Sequence, residues 1–366
     1  MDDISIRTLD LSDLELRKKW DEFVFKFEHG HHHSTNYLDA IFDAYSQHEN
    51  HSLVALDSDG EVIGALPLVG QRSLIWGNSL TSTPFFNYGG ALFFDSKVEQ
   101  PLLEEAAKVM RCEGYKKLEV RSMTPLENQD ELRFDGWHTH THKVAMTIKL
   151  SESIESLGSG KKWTKLKSQC KRAEREALKT NSELKQLFGK EELLNDFYSV
   201  FSKNMRDLGT PVYGIDFFRS MLAQIDSTLT VVYWEGKPVS CGFLFKHETS
   251  NGLKYSIPWA SSLSEYSKIS VNLYMYYNIL DFVIKGGAIE FDFGRSTIDS
   301  GTYKFKKQWG AEPQTCHWHQ LLIDESESEP RLDTSQGKMK YVIEAWKRLP
   351  LPIANLLGPH IVKSIP

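Results

Sequence analysis

Phe291-Asp-Phe-Gly-Arg-Ser296, followed after three residues by Ser300-Gly-Thr-Tyr-Lys-Phe-Lys-Lys-Gln-Trp-Gly310, is the densest run of chemistry in the chain. A strand over Ile289–Phe293 puts Phe291 and Phe293 on one face and Asp292 on the other, because successive side chains alternate. With both rings in the core, Asp292 points into a cleft or at a covering helix. Arg295 and Ser296 then sit at the strand's C-terminal end, where open α/β sheets commonly place ligands. Arg295 suits bidentate capture of a carboxylate or phosphate. Lys306, one loop further on, suits an oxyanion or a phosphate. An Asp292–Arg295 salt bridge that fastens a loop is the plain alternative.

Outward from this run, the pattern reads as helix, hairpin, strand, helix, strand. Leu193–Leu208 and Phe217–Ala223 are helical. Leu229–Trp234 and Val239–His247 are strands around Glu235-Gly-Lys-Pro238, a hairpin signal. Leu253–Trp259 is a strand, Val271–Lys285 an apolar helix stopped by Gly286-Gly287, and His317–Ile323 a last strand. The first half repeats this plan: a helix at Tyr37–Gln47, strands Ser52–Leu56 and Val62–Leu68 around Asp57-Ser-Asp-Gly60, a continuation at Leu74–Trp76, a helix Pro101–Gly114, and strands Leu118–Arg121 and Val144–Leu150. The expected divisions are therefore 1–150, 151–325, and a linker and tail at 326–366. The linker is acidic and Ser-rich. The tail is apolar but broken by proline, and either docks on the body or rests on a membrane surface.

Two further segments carry candidate chemistry. Ser159–Thr180 is a basic helix on which Lys161, Lys165, Arg172 and Arg175 can share one side. That suits RNA or a polyphosphate contacted over 161–179, while a solvated helix face is the plain reading. Ser82-Thr-Pro-Phe-Phe-Asn-Tyr-Gly-Gly90 is an irregular loop whose Asn87 and Tyr88 can line a pocket. Its glycines alternatively supply only conformational freedom. His29, His31, His32 and His33 cluster, and His138, His140 and His142 alternate, but no carboxylate or cysteine completes either set at a metal-ligand spacing. No metal is expected.

The composition narrows the classes. In 366 residues, 43 Lys+Arg against 49 Asp+Glu give a net charge of −6, with 40 % hydrophobic and 25 % charged residues. That is an ordinary globular balance and excludes a protein that coats DNA with its whole surface. Four dispersed cysteines form no disulfide or zinc framework. No stretch has the roughly 20 apolar residues of a membrane span, and the N-terminal segment lacks a signal-peptide pattern. A cytoplasmic protein is expected. No P-loop, dinucleotide fingerprint or nucleophile elbow is present.

Phe-Asp-Phe-Gly-Arg-Ser and Phe305-Lys-x-x-Trp-Gly310 resemble the FemAB-like branch of the GNAT acyltransferase superfamily, most nearly its exosortase/PEP-CTERM-associated group. Leu80–Gly90, Met205-Arg-Asp-Leu-Gly-Thr-Pro211 and Lys171-Arg-Ala-Glu174 agree, collinearly over about residues 35–325. The resemblance implies an α/β (α+β) chain of two tandem GNAT-like domains, with mixed sheets flanked by helices around a shared cleft. It implies acyl or aminoacyl transfer to an amine of a peptidoglycan or exopolysaccharide precursor, or to a sugar amine. The donor is an acyl-CoA or an aminoacyl-tRNA. The helical arm that suits tRNA and the glycine-rich loop that suits CoA are both absent, so the donor stays open. Lys306 is the implied charge-stabilising residue, with Asp292 and Arg295 beside it. Phe305, Tyr303, Trp309, Ser296, Asn87, Tyr88, Arg206, Lys161 and Lys165 are implied or candidate substrate contacts. A non-catalytic binding protein on a degenerate GNAT scaffold is the alternative, disfavoured by the complete motif around Lys306.

Overall fold

The computed structural model describes residues 4–73, 77–126, 136–323 and 338–364. The strand expected at 74–76 and the acidic linker 324–337 lie outside them.

The second-half hairpin forms as its turn residues dictate. Strands Ser227–Trp234 and Lys237–Thr249 pair antiparallel. Glu235 and Gly236 join them with φ of +51° and +72°, the two-residue turn whose twist matches that of the flanking strands. Strand Gly252–Ser262 extends the sheet. Helix Val271–Lys285 then crosses over, burying Val271, Met275, Ile279, Leu280 and Val283. Strand Glu290–Thr297 returns parallel to Gly252–Ser262. The first half has the same core: hairpin Leu53–Leu56 with Val62–Leu66, and helix Glu99–Cys112 bridging the parallel strands Ser79–Thr81 and Lys117–Ser122.

Of the three sheets among the described residues, two do not respect a cut at residue 150. Lys143–Lys149 lies between Glu290–Thr297 and Glu312–Thr315 in the seven-stranded sheet. His317–Leu322 lies between Lys117–Ser122 and Trp137–His140 in the six-stranded sheet. Each half thus lends one strand to the other. The alternation of Val144, Met146 and Ile148 specifies a strand with one apolar face, and that face is filled by Phe291, Phe293 and Trp309 of the second half. Which sheet receives it is a tertiary choice.

Two local expectations are corrected. The basic segment is two helices, Gly160–Cys170 and Arg172–Thr180, broken at Lys171, and the Arg175 guanidinium caps the first by donating to the Ser168 carbonyl at 2.7 Å. Trp163, Leu166 and Cys170 bind the first helix to the core, and the break at Lys171 removes the single continuous helix that would put Lys161, Lys165, Arg172 and Arg175 on one side. The segment around Lys306 is helix Gly301–Gln308 rather than a loop, started by Ser300 Oγ accepting from the Tyr303 amide at 3.2 Å.

Helices from both halves share one core. Trp20, Tyr37 and Ile41 pack in a single cluster with Phe197, Phe217, Phe218, Phe243 and Trp259. Tail helix Leu351–Val362 docks on the body. A Cβ at its Gly358 would stand 2.9 Å from the Val212 backbone nitrogen, so only glycine permits the approach. Among the described residues, no helix is long and apolar enough to cross a membrane.

Candidate active site

The parallel strands Gly252–Ser262 and Glu290–Thr297 pair at only three positions, Lys254↔Glu290, Tyr255↔Phe291 and Ser256↔Asp292, and then part. Both carry an extra residue where they part. Phe243 and Phe245 face Trp259 and Ser256, and Ala145 and Thr147 face Arg295 and Asp292. Such bulges bend a strand and re-aim its side chains. Gly294 sits in the second bulge at φ +77°, a conformation that strains any residue with a Cβ. The result is a wedge between two strands, open beyond Ser256 and Asp292.

The polar groups meet at the wedge's closed end. Asp292 Oδ1 accepts from the Gly294 amide at 2.7 Å, and its Oδ2 accepts from the Tyr88 hydroxyl. The Lys306 ammonium donates to the carbonyls of Gly294 and Arg295, both at 2.9 Å. Lys306 therefore braces the bulge that opens the wedge, and one of its three N–H donors remains. Burial pushes the Lys306 ammonium down to about 8, with Arg295 acting in the same direction and Asp292 against it. Burial raises the Asp292 carboxyl, opposed by the bonds from Tyr88 and Gly294. Burial, reinforced by the Asp292 charge, lifts the Tyr88 phenol well above its usual value. Asp292 and Arg295 do not form the salt bridge of the plain reading: Asp292 is bonded as above, and among the described residues the Arg295 guanidinium makes no hydrogen bond or ion pair, lying instead over the Trp318 ring.

Tyr88 is held by a loop pinned at several points. The Ser82 amide donates to Glu119 O and the Gly89 amide to Arg121 O, at 2.9 and 2.8 Å. Thr83 Oγ1 donates to Tyr88 O at 2.9 Å, and the Arg121 guanidinium to Phe86 O at 2.8 Å. Thr83 and Phe85 adopt positive φ. The two glycines here serve close approach rather than an unusual φ: a Cβ on Gly89 would lie 1.9 Å from Thr83 Oγ1, and one on Gly90 2.1 Å from Ser122 Oγ. Asn87 Nδ2 lies near Gly294, 3.9 Å from where its Cβ would stand.

A cationic shelf borders the wedge. Arg295 is exposed and lies 4.7 Å from the centre of the Trp318 ring, and Arg121 lies 4.6 Å from the same ring. Arg121 is committed to Glu119 and Phe86. Lys143, beside Arg295, donates to Thr297 Oγ1 at 2.7 Å. Ser296 is buried with an unpartnered hydroxyl. Trp318 reaches this shelf only because its strand crosses into the first-half sheet. A chain scan has no signal for that crossing.

Other expected contacts fall elsewhere. Trp309 is 1 % exposed and packs against Trp163 and Tyr276, so it anchors its helix in the core. Phe305 is half-buried on Tyr276, and Tyr303 is half-buried in the same cluster. Arg206 bonds Asp207 at 2.6 Å and Leu349 O at 2.8 Å, holding the C-terminal tail rather than lining the wedge. Lys161 and Lys165 lie with Gly160, Thr164, Ser168 and Gln169 on one open face of helix Gly160–Cys170, and none of these residues lines the wedge. Residues missed from the sequence are Glu28 and Lys254, while the sequence singles out His29 only with its histidine cluster. Lys254 bonds Glu28 at 2.7 Å and Glu290 at 3.1 Å beside the wedge, and His29 faces the Tyr88 ring. The alternation of apolar and polar positions hides a buried lysine of this kind.

The architecture is that of two tandem GNAT-like domains of mixed α/β structure. Residues 164–307 match the acetyltransferase (GNAT) domain family. FemX shares the fold at 13 % identity and a TM-score of 0.61, over 88 % of this chain and 98 % of that one. A tandem GNAT protein from the clavulanic acid biosynthesis pathway aligns at 9 % identity and a TM-score of 0.55, over 87 % and 98 %. The Saccharomyces cerevisiae N-myristoyltransferase with bound myristoyl-CoA aligns at 8 % identity and 0.53, over 87 % and 79 %. No curated protein matches the chain.

Proposed function

We propose that the protein transfers an acyl group from an activated donor to an amine, with the reaction centred where the two strands part. The observation that carries this reading is the wedge itself, with the Tyr88–Asp292 pair and the Lys306 ammonium at its closed end. Beyond Ser256, strand Gly252–Ser262 has no strand partner on the wedge side among the described residues, so its backbone can pair with the amides of an extended donor arm. An acyl-CoA thioester has such an arm, and the matched family model and the myristoyl-CoA-bound neighbour favour it. In the proposed step the amine nitrogen bonds to the carbonyl carbon and the carbonyl π electrons move to oxygen. The third N–H of Lys306 meets that charge, which is where preorganised donors contribute most. Asp292 takes the amine proton, and the donor sulfur leaves as the carbon–sulfur bond breaks and accepts a proton. Arg295, whose guanidinium forms no ion pair among the described residues, holds a carboxylate or phosphate of the acceptor, as a peptidoglycan or exopolysaccharide precursor would carry.

Aminoacyl-tRNA is the second donor reading, favoured by the exposed Lys161 and Lys165 on one open helix face. Calorimetric titration of the full chain with acetyl-CoA and, separately, with aminoacyl-tRNA decides between them. The expected result is saturable CoA binding and no tRNA binding. Binding of tRNA that weakens in Lys161→Glu/Lys165→Glu, with a flatter salt dependence, selects the tRNA donor. Binding of neither overturns the wedge as a donor site.

The rate should also carry a pH signature. Lys306 must be cationic to stabilise the oxyanion, and its pKa is about 8. Turnover under saturating donor should therefore fall as pH rises through about 8, and this limb should be missing in Lys306→Met. A rate that keeps climbing through pH 9 in the wild type assigns Lys306 no charge role. The stability linkage runs in the other direction. The folded pKa lies below the ordinary lysine value, so the folded state binds fewer protons between the two, and this group's contribution to stability improves as pH rises across that window.

A further inference from the structure

We propose that His31, His32 and His247 form a site for a divalent transition metal of the zinc class, fastening the first-half turn Gly30–His33 to the second-half strand Lys237–Thr249. The reading is independent of the proposed reaction. One ring nitrogen from each of the three residues lies within 4.8 Å of the others. Three imidazoles are a set that zinc, copper, nickel or cobalt accepts and that magnesium or calcium does not. Tetrahedral ligands at zinc–nitrogen distances stand about 3.3 Å apart, so small ring rotations close the set.

The polar bookkeeping supports a ligand. His32 and His247 are 4 % and 5 % exposed. Both ring nitrogens of His31, and Nδ1 of His32, are buried with no hydrogen-bond partner. Such orphans are costly and rare in a folded core. His31 and His247 stack with ring centres 3.7 Å apart, an arrangement that leaves only the ring edges for polar contact. On His247, Nε2 bonds Ser256 Oγ at 2.8 Å. That contact leaves Nδ1 for a metal and supplies the outer hydrogen bond that commonly orients a ligating histidine. A small cavity lies against the set, lined by Glu28, His31, His247, Ser256 and Asp292 among others. It gives room for water in a fourth coordination position. The sequence shows the 29–33 cluster without its completing ligand, because His247 enters from a distant strand.

The test uses the full chain without a histidine tag, stripped with EDTA and then titrated with Zn2+ by calorimetry and with Co2+ by visible absorption. The expected result is one equivalent of either ion, a Co2+ spectrum of tetrahedral type, and a higher melting temperature with Zn2+. His31→Asn and His247→Asn should each weaken binding by at least ~100-fold, and Ser256→Ala by ~10-fold, as removal of an orienting contact does. His140→Asn, on the distant strand Trp137–His140, should change nothing. If His247→Asn fails to fold by circular dichroism, His31→Asn decides the matter, since its ring nitrogens bond nothing in the protein. Absence of Zn2+ binding, or binding that persists undiminished in His31→Asn, overturns the site.

Discussion

Lys306→Met should lower kcat by about 10²- to 10³-fold, the usual effect of removing one donor from an oxyanion site, while KM for the donor stays near the wild-type value. The same variant should lose about 1–3 kcal/mol of stability, because the Gly294 and Arg295 carbonyls lose the ammonium that bonds them. Steady-state kinetics and thermal unfolding on one preparation check both. The two effects separate the roles this side chain can have. A stability loss with intact turnover leaves Lys306 as a brace for the bulge and removes it from the chemistry. A loss of turnover without any change in unfolding means that its bonds to the bulge contribute nothing.

Trp309→Ala should cost about 3–5 kcal/mol, the range for an aromatic side chain deleted from a close-packed core. The indole is 1 % exposed and packs edge-on against Trp163, 6.3 Å between centres. The conservative Trp309→Phe should keep most of the transfer activity, because this ring positions helix Gly301–Gln308 from behind and does not reach the wedge. Denaturant unfolding and kcat/KM measured together test this. Trp309→Phe with unchanged stability and activity reduced tenfold or more would return Trp309 to the substrate contacts that the motif resemblance implies.

These two residues mark how far the sequence could be read. Alternation correctly placed Phe291 and Phe293 in the core and turned Asp292 away from it. The loop Ser82–Gly90 was legible as irregular, and the structure brings its Tyr88 to Asp292. The hairpins and the crossover helix Val271–Lys285 follow from local signals: paired turn residues, apolar spacing at 3.6, and a glycine stop. What the sequence withheld is long-range. Lys306 and Trp309 share one motif three residues apart and stand as neighbours on one side of the helix, yet the long ammonium reaches the Gly294 and Arg295 carbonyls of the bulge while the indole fills the core. Arg206 lies in a stretch that matched the resemblance, and it holds the tail, since its partner Leu349 is 143 positions away. Trp318 and His247 carried no signal at all. Each matters only through a neighbour that pairing across sheets supplies.

The exchange of strands also governs how the molecule can be made and how it can move. Lys143–Lys149 leaves the ribosome long before Glu290–Thr297 and Glu312–Thr315, the strands on either side of it. Until they arrive, its edges are bare, so the nascent first half cannot complete itself and is exposed to misassembly. Cutting the chain near residue 150 should accordingly yield two fragments that each lack an interior strand, rather than two independent modules. In the finished protein the same interlock works against a hinge. Two lobes that each hold a strand of the other cannot swing apart without breaking backbone ladders, so a substrate must enter through the standing gap between the parted strands.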